Sequence, residues 1–339
     1  MKESNIVVYL ENKVYKISKG ILFILFSIKN NHFEIYNLID HLSENGYFFC
    51  EKEIQILIVN SIIITSLEEK EKYDYWFKYG WGDVLYYLLG TKDYEFIDYS
   101  TKKGFQQDLK MMKEYVDLKN KEPIDRKIYK SESYKLEHIE LPFTSIKEYY
   151  NGNCLSKDSV HLDIKEKLSL LLKTSFGKIG VNNMYGKKFN KKCSPSGGSR
   201  HPTEAYLFDL NGLFKEDSIF YYDFIAHELK LHSKEKKLLN TLNDFSYNYE
   251  SNINYKPNFG ILITSNFVKS MWRYRDSRSF RVIFNDVGHI LTHINYIANI
   301  LGLEYTEFSF LDDDEVLDNM NFQIDESIME KPIYFIMFK

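Results

Sequence analysis

The chain has 339 residues, a formal net charge of −4 and 44% hydrophobic residues. A chain of this length and apolar content is expected to fold into one to three domains with sizeable cores. The nearly balanced charge leaves no overall basic footprint, which argues against a protein built to bind nucleic acid.

Cysteine usage and hydropathy favour a cytoplasmic location. The three cysteines, Cys50, Cys154 and Cys193, show no Cys-x-x-Cys spacing and are expected to be reduced thiols. The N-terminus has no long apolar core behind basic residues, so no signal peptide is expected. The apolar run Ile21–Ile28 is too short to span a bilayer, so no membrane partner is expected.

Residues 1–70 are predicted to form a small winged-helix-like module. Two short strands, Val7–Leu10 and Val14–Ile17, flank a polar turn, which is typical of a hairpin. Three apolar-periodic segments and a last strand follow, at Ile21–Ile28, Phe33–Leu42, Lys52–Asn60 and Ile62–Ile64. The simplest role of such a module is packing against the rest of the chain.

Residues 71–140 are predicted to be a connecting helical region that ends in a linker. One helix is expected over Trp81–Leu89, ended by Gly90, and a second over Asp108–Val116. The segment Asp117–Tyr134 is charged and contains a proline, which is typical of an exposed linker.

Residues 141–339 alternate helical and extended patterns and predict an α+β domain. Asp163–Leu172 is an amphipathic helix with Asp163 as its N-cap, and Phe280–Leu301 is the longest helical pattern of the chain. Phe259–Ser265 is a run of apolar residues that predicts a central strand buried on both faces. The other predicted strands are Thr203–Leu210, Ser218–Tyr222, Glu228–Leu231, Glu304–Phe310 and Pro332–Phe338.

A glycine- and serine-rich loop, residues 192–206, is the stretch around which this domain is organised. Pro195 disfavours regular structure, and Gly197 and Gly198 allow a ligand to approach the backbone closely. Arg200 adds positive charge, so the loop suits a flat anionic cofactor. The preceding basic run is predicted to be a solvated loop that can gather an anionic ligand, and consists of Lys187, Lys188, Lys191 and Lys192.

The loop resembles the PSGG-x-RHP-x-E-x-Y signature of the SagB-type dehydrogenases, the flavin-dependent branch of the nitroreductase superfamily that acts on ribosomally made peptides. Two further blocks resemble the same family, at Trp272–His289 and Ala298–Leu303. The resemblance covers the chain from about Asp163 to the C-terminus. It implies an α+β nitroreductase-like FMN fold with a mixed central sheet wrapped by helices, and a homodimer with the flavin in its interface. It also implies that the module of residues 1–70 holds a leader peptide as an added strand.

The resemblance implies FMN as the cofactor and assigns it a set of binding residues. These are Ser194, Pro195, Ser196, Gly197, Gly198, Arg200, Asn151, Asn153, Arg275 and His289. The chain departs from the family where an Arg-rich segment grips the flavin phosphate, because Tyr150–Cys154 stands there instead. Asn151 and Asn153 can supply neutral donors to the phosphate but no charge.

Arg273 and Tyr274 are the candidate catalytic residues. The family often has a Lys-Tyr pair at this position, which works as acid and base beside the flavin. Arg273 stays protonated and cannot serve as a base, although it can bind an anion or lower the pKa of Tyr274. The structural alternative is a Tyr274 ring packed under the helix and an Arg273 side chain on the surface.

Other catalytic arrangements find no support in the sequence. His289 and His293 share one helical face, but no third ligand accompanies them, so no metal is predicted. The chain has no Gly-x-Ser-x-Gly elbow, no phosphate-binding P-loop and no dinucleotide fingerprint.

The function indicated is FMN-dependent redox tailoring of a ribosomally synthesised peptide, alone or with other peptide-modifying enzymes. One candidate reaction is reduction of dehydroalanine or dehydrobutyrine to D-residues, as in lanthipeptide pathways, with NAD(P)H as the electron donor. The other is oxidation of thiazoline or oxazoline rings to azoles. Loss of the family lysine favours reduction, since a reductase needs only a proton donor such as Tyr274. A third candidate, of another class, is a flavin-free scaffold subunit of a peptide-modifying complex.

Overall fold

A computed structural model of the chain describes the following residues: 6–10, 13–17, 40, 42–44, 54, 74–91, 97–98, 100–117, 127–137, 162–184, 187–234, 257–309, 311–320 and 329–339. The chain divides into two compact units, Met1–Phe96 and Ile97–Lys339. The finer division at residues 70 and 140 stays a prediction.

The first unit contains the hairpin expected from the sequence. Strand β1 (Ile6–Leu10) pairs antiparallel with β2 (Lys13–Ile17), so that Ile6 lies opposite Ile17. Helix α1 (Gly82–Gly90) ends at the predicted glycine. The three apolar-periodic segments and the strand at 62–64 fall almost wholly outside the described residues, and the winged-helix-like module remains a prediction.

The second unit is built on a seven-stranded sheet of β3 (Ser133–Lys135), β6 (Thr203–Asp209), β7 (Ser218–Asp223), β8 (Glu228–Lys234), β9 (Phe259–Asn266), β10 (Tyr305–Phe308) and β11 (Glu330–Phe338). Their order in the sheet is β10-β11-β9-β6-β7-β8-β3. Every pairing described in this sheet is antiparallel, so the expectation of a mixed sheet is wrong here. The short connections from β6 to β7 and from β7 to β8 allow only antiparallel neighbours, because a parallel pair needs a long crossover.

The helices of the second unit are α2 (Lys102–Asp117), α3 (Ile164–Phe176), α4 (Phe267–Met271), α5 (Phe280–Leu301) and α6 (Asp313–Asn319). The long helices α3 and α5 begin at the predicted position, whereas α2 begins six residues before the predicted Asp108. The predicted N-cap is present, because the Asp163 carboxylate accepts hydrogen bonds from the backbone N–H groups of Lys165 and Glu166 at 2.8 and 2.9 Å. Gly302 ends α5 with a φ of 64°, as a C-terminal glycine commonly does.

The central strands are buried on both faces, as predicted for β9. Alternate side chains of β6 face opposite cores: Ala205 and Leu207 join the core that contains α3 and α5, whereas Tyr206 and Phe208 join a second core. This second core also receives Val316 from α6. The loops at the ends of the central strands are therefore held on a rigid sheet.

A second hairpin stands where the sequence indicated a solvated loop. Strand β4 (Lys178–Met184) pairs antiparallel with β5 (Lys187–Lys192). The expectation of a loop is wrong because ladder pairing and the buried Phe189 hold the lysine-rich segment extended. On this strand Lys191 is exposed and Lys192 is buried, since successive strand residues point to opposite faces. β5 leads directly into the glycine- and serine-rich loop that the sequence indicated.

Candidate functional site

The glycine loop, defined as Ser194–Arg200, is tied to helix α5 by one carboxylate. The Ser196 hydroxyl donates to Asp286 Oδ2 at 2.6 Å, and the Gly197 backbone N–H donates to Asp286 Oδ1 at 2.9 Å. The backbone N–H of His201 in turn donates to Ser196 Oγ at 2.8 Å. Hydrogen bonds to a charged acceptor are the stronger kind, so Asp286 fixes the position of the loop.

Asp286 lies among apolar residues of α5 and is only 3% exposed. Burial raises the pKa of its carboxyl above the ordinary value, and the hydrogen bonds from Ser196 and Gly197 act in the opposite direction, as does the charge of His289. These donors stabilise the carboxylate in its buried position.

Both glycines of the loop have neighbours that leave no room for a side chain. A methyl group added at Gly197 would lie 2.1 Å from Val282 Cγ1, on the first turn of α5. Gly198 has a φ of 58°, and a methyl group there would lie 1.9 Å from the hydroxyl oxygen of Tyr274. Gly198 itself is exposed. The structure therefore brings the predicted loop and the predicted catalytic tyrosine together.

Arg273 lies beside Tyr274 and is not at the surface. Its side chain is 11% exposed and forms an ion pair with Asp108 of α2. Its guanidinium carbon lies 4.9 Å from the centroid of the Tyr274 ring. The half-buried Tyr274 ring is thus held between a fixed cation and the loop.

Arg200, at the end of the loop, is stacked between two aromatic rings. Its guanidinium carbon lies 5.1 Å from the ring centroid of Phe189 and 5.1 Å from that of Trp272. Arg275 takes a different direction, because its guanidinium carbon lies 4.0 Å from the ring centroid of Tyr115 on α2. Of these two predicted cofactor-binding arginines, Arg200 is part of the loop and Arg275 contacts α2.

The remaining residues predicted to bind the cofactor differ in their burial. Ser194 is buried and Pro195 half-buried within the loop, and His289 is exposed on α5 one turn beyond Asp286. Asn151 and Asn153 lie outside the described residues. His293 is buried, and its Nδ1 lies 3.4 Å from the carbonyl oxygen of Thr174. Within the described ranges no group of three or more potential metal ligands is present.

Beside the loop, the side chains of Lys192 and Lys269 line a narrow recess together with Arg200 and His201. The His201 ring is buried next to these three cations. Burial, reinforced by their charges, lowers the pKa of His201 to about 3. His201 is therefore neutral at physiological pH, and the positive charge of the recess comes from the lysines and the arginine.

Two signature residues beyond the loop belong to the core. The Glu204 carboxylate pairs with Lys269 and accepts a hydrogen bond from the Tyr221 hydroxyl at 3.1 Å. The Tyr206 hydroxyl donates to Glu330 Oε1 at 3.2 Å. These contacts anchor β6 inside the sheet.

Comparisons with known proteins agree with this architecture. The chain is 31% identical over 177 residues to the trifolitoxin-processing protein TfxB of Rhizobium leguminosarum bv. trifolii, covering 51% of this chain and 43% of that protein. It is 28% identical over 142 residues to the trifolitoxin-processing protein TfxF of the same organism, covering 42% of this chain and 46% of that protein. The chain thus spans less than half the length of the curated relatives it matches. No protein-family model matches the chain.

The crystal structure of a protein assigned as a nitroreductase from Anabaena variabilis superposes with a TM-score of 0.50 at 22% identity, covering 68% of this chain and 45% of that protein. The fold is that of the nitroreductases. These likenesses agree with the resemblance of the glycine loop and its two companion blocks to the SagB-type branch. The predicted α+β nitroreductase-like fold is thereby confirmed.

Two residues near the glycine loop fit a flavin. Gly198 is exposed and has no side chain of its own, so a flat ligand can approach its backbone closely. The indole N–H of Trp272 is buried beside the loop and has no hydrogen-bond partner in the part of the chain that the structure describes. This leaves a donor for a ligand, since buried polar groups are normally paired.

Two supporting residues of the site were not predicted from the sequence. Asp286 lies within the block Trp272–His289, and an acid on the apolar stripe of a core helix is itself a signal. Asp108 gave no signal at all, because its partner Arg273 lies 165 positions away.

No helix in the described ranges combines the length and apolarity that membrane crossing requires.

Proposed function

We propose that this chain is an FMN-dependent oxidoreductase that tailors a ribosomally synthesised peptide. The observation that carries the proposal is that the Tyr274 hydroxyl lies against the backbone of Gly198, an exposed residue of the glycine loop. A cofactor lying on this loop would have a proton donor at its edge. The match to trifolitoxin-processing proteins supports a peptide as the substrate class.

Reduction of dehydroalanine or dehydrobutyrine is the reaction we favour. It adds a hydride to the β-carbon and a proton to the α-carbon of a carbon–carbon double bond. FMN, when bound, would supply the hydride. Tyr274 would supply the proton, because a phenol carries its proton at neutral pH. NAD(P)H would return the electrons to the cofactor.

Arg273 is suited to support a proton donor and unsuited to act as a base. The guanidinium remains protonated, and its ion pair with Asp108 holds it over the Tyr274 ring. A fixed cation stabilises the phenolate that forms when Tyr274 gives up its proton. Ring oxidation by the family's Lys-Tyr pair would need a base at this position, which is why reduction is favoured over azole formation.

The assembly we propose has three further parts. Residues 1–70 would bind the leader peptide as an added strand. A homodimer would enclose the cofactor, and other peptide-modifying enzymes would act on the same precursor. The protein would thereby take part in the biosynthesis of a peptide such as a lanthipeptide antibiotic.

Tyr274→Phe tests the catalytic assignment. The change removes one hydroxyl and little volume, so FMN content should persist while the rate of the chemical step falls. Loss of general acid help costs about 10²–10⁴-fold in rate. The measurement is single-turnover oxidation of the reduced flavin by the cognate peptide, with bound FMN quantified from its absorbance.

Tyr296→Phe is the matched control, because Tyr296 lies on α5 with its side chain 45% exposed. It should react at the wild-type rate. A wild-type rate in Tyr274→Phe would contradict the role of Tyr274. A colourless protein that binds no added FMN would instead favour the scaffold function. Product mass distinguishes the two reactions, since reduction adds two hydrogens to the peptide and azole formation removes two.

A further inference from the structure

The recess beside the glycine loop concentrates positive charge. Its lining residues are Phe189, Asn190, Lys192, Ser199, Arg200, His201, Phe224 and Lys269. Three of these eight side chains are cationic and none is acidic. The recess is therefore a positively charged environment bounded by aromatic rings.

The cations are held in place by contacts within the fold. Lys192 is 4% exposed; its Nζ donates to the Thr203 carbonyl oxygen at 3.2 Å and lies 4.0 Å from the ring centroid of Phe224. Lys269 is 6% exposed and pairs with Glu204. Three cationic side chains that line one recess favour the binding of an anion there.

The recess is continuous with the glycine loop. Ser199 and Arg200 line the recess, whereas Gly198, the residue before them, contacts Tyr274. A ligand whose flat end lies on Gly198 can place an attached anionic group at Arg200 and Lys192. Lysine and arginine are the residue types that hold phosphate oxygens by charge-assisted hydrogen bonds.

We propose that this recess is a phosphate-binding site, and that it holds the phosphate monoester of the flavin in place of the Arg-rich segment that the chain lacks. The inference rests on the proposed FMN dependence. Lys192 and Arg200 contact the phosphate oxygens, and Lys269 adds charge from the recess wall. The neutral His201 ring leaves the positive charge on these three side chains.

The test compares the affinity of the apoprotein for FMN and for riboflavin, which differ only by the phosphate. Flavin fluorescence quenching gives both dissociation constants without any turnover. Wild-type protein is expected to prefer FMN about 10- to 100-fold or more, because charged hydrogen bonds to a phosphate each contribute about 10- to 100-fold in affinity. Inorganic phosphate should compete with FMN and not with riboflavin.

Lys192→Gln is the informative variant, since the amide can still donate to the Thr203 carbonyl while the charge is lost. It should reduce the preference for FMN about tenfold or more and leave riboflavin affinity unchanged. Lys191→Gln is the matched control, because Lys191 is the exposed neighbour on the same strand, and it should keep the full preference. Lys192→Met serves as a second neutral variant should Lys192→Gln fail to fold.

An unchanged FMN-to-riboflavin ratio in both Lys192 variants would overturn the recess proposal and leave the proposed function standing. An apoprotein that binds neither flavin would overturn both. A ratio that falls equally in Lys191→Gln would also overturn the recess proposal, because general surface charge would then account for the preference.

Discussion

Gly198→Ala should destabilise the protein more than a change of backbone conformation alone can explain. Two glycines have nearly the same left-handed backbone, Gly198 with a φ of 58° and Gly302 with a φ of 64°. A non-glycine residue in this region costs about 1–2 kcal/mol. An added methyl group meets nothing within 4 Å at Gly302, whereas at Gly198 it meets the Tyr274 hydroxyl oxygen at 1.9 Å. Forced overlap of this kind costs about 1–3 kcal/mol more.

We therefore expect Gly302→Ala to lower the free energy of unfolding by about 1–2 kcal/mol. Gly198→Ala should lower it by about 2–5 kcal/mol, the sum of the backbone and overlap costs. Tyr274→Ala removes the obstructing ring, so Gly198→Ala in that background should cost only the backbone part. The coupling energy of this double-mutant cycle should be about 1–3 kcal/mol.

Urea denaturation of the four cycle members, with Gly302→Ala alongside, measures these differences through the midpoint at constant slope. Additive effects of the Gly198 and Tyr274 changes, within about 0.5 kcal/mol, would refute the close contact between the loop and the tyrosine. Equal losses in Gly198→Ala and Gly302→Ala would lead to the same conclusion.

Three titration predictions follow from the buried groups. The lowered pKa of His201, about 3, means that the unfolded state binds more protons than the folded state between about pH 3 and 6.5. Stability should therefore fall by up to about 1.4 kcal/mol per pH unit as pH decreases through this window, and His201→Gln should flatten that slope in urea melts. The raised pKa of Asp286 gives a pH dependence of the opposite sign, because the folded state binds more protons than the unfolded state just above pH 3.8. The contribution of Asp286 to the free energy of unfolding should therefore fall as pH rises there. The difference in stability between wild type and Asp286→Asn should show this trend. Burial raises the pKa of the Cys193 thiol to about 12. Native protein should therefore resist alkylation of Cys193 at pH 8, whereas urea-unfolded protein should react readily. Rapid alkylation of the native protein would contradict the burial of Cys193.

Local signals predicted much of the fold from the sequence. The N-cap at Asp163 and the long apolar pattern of α5 each act within a short stretch of chain, and each lies where it was expected. The hairpin at β5 was missed because its lysines are typical of solvated loops. Its extended conformation depends on pairing with β4 and on the buried Phe189, neither of which shows in the charge pattern.

The sequence indicated single residues of the candidate site but not the contacts that join them. Resemblance to the SagB-type blocks indicated Gly198 and Tyr274, and the structure places them in contact. The tie between Gly197 and Asp286 spans 89 positions, and no local rule links two residues so far apart. The resemblance implied a mixed sheet, whereas the pairings described are antiparallel. The short connections from β6 to β7 and from β7 to β8 decide the directions of these strands, which the resemblance does not.

The buried polar contacts of the central sheet have a consequence for how the chain folds. Glu330 receives hydrogen bonds from Tyr206 on β6 and from Thr264 on β9, at 3.2 and 2.6 Å. Sliding β6 or β9 by a single residue would turn the donor on that strand to the opposite core and leave the buried Glu330 carboxylate without it. Lys127 Nζ lies 3.0 Å from Glu330 Oε2 and would still balance the charge, so the penalty is that of an unsatisfied buried acceptor, about 1–3 kcal/mol. Misaligned sheets are therefore disfavoured during folding. The Glu330 carboxylate thus favours one register of the central strands. The two apolar faces of the sheet alone would accept a register shifted by one residue.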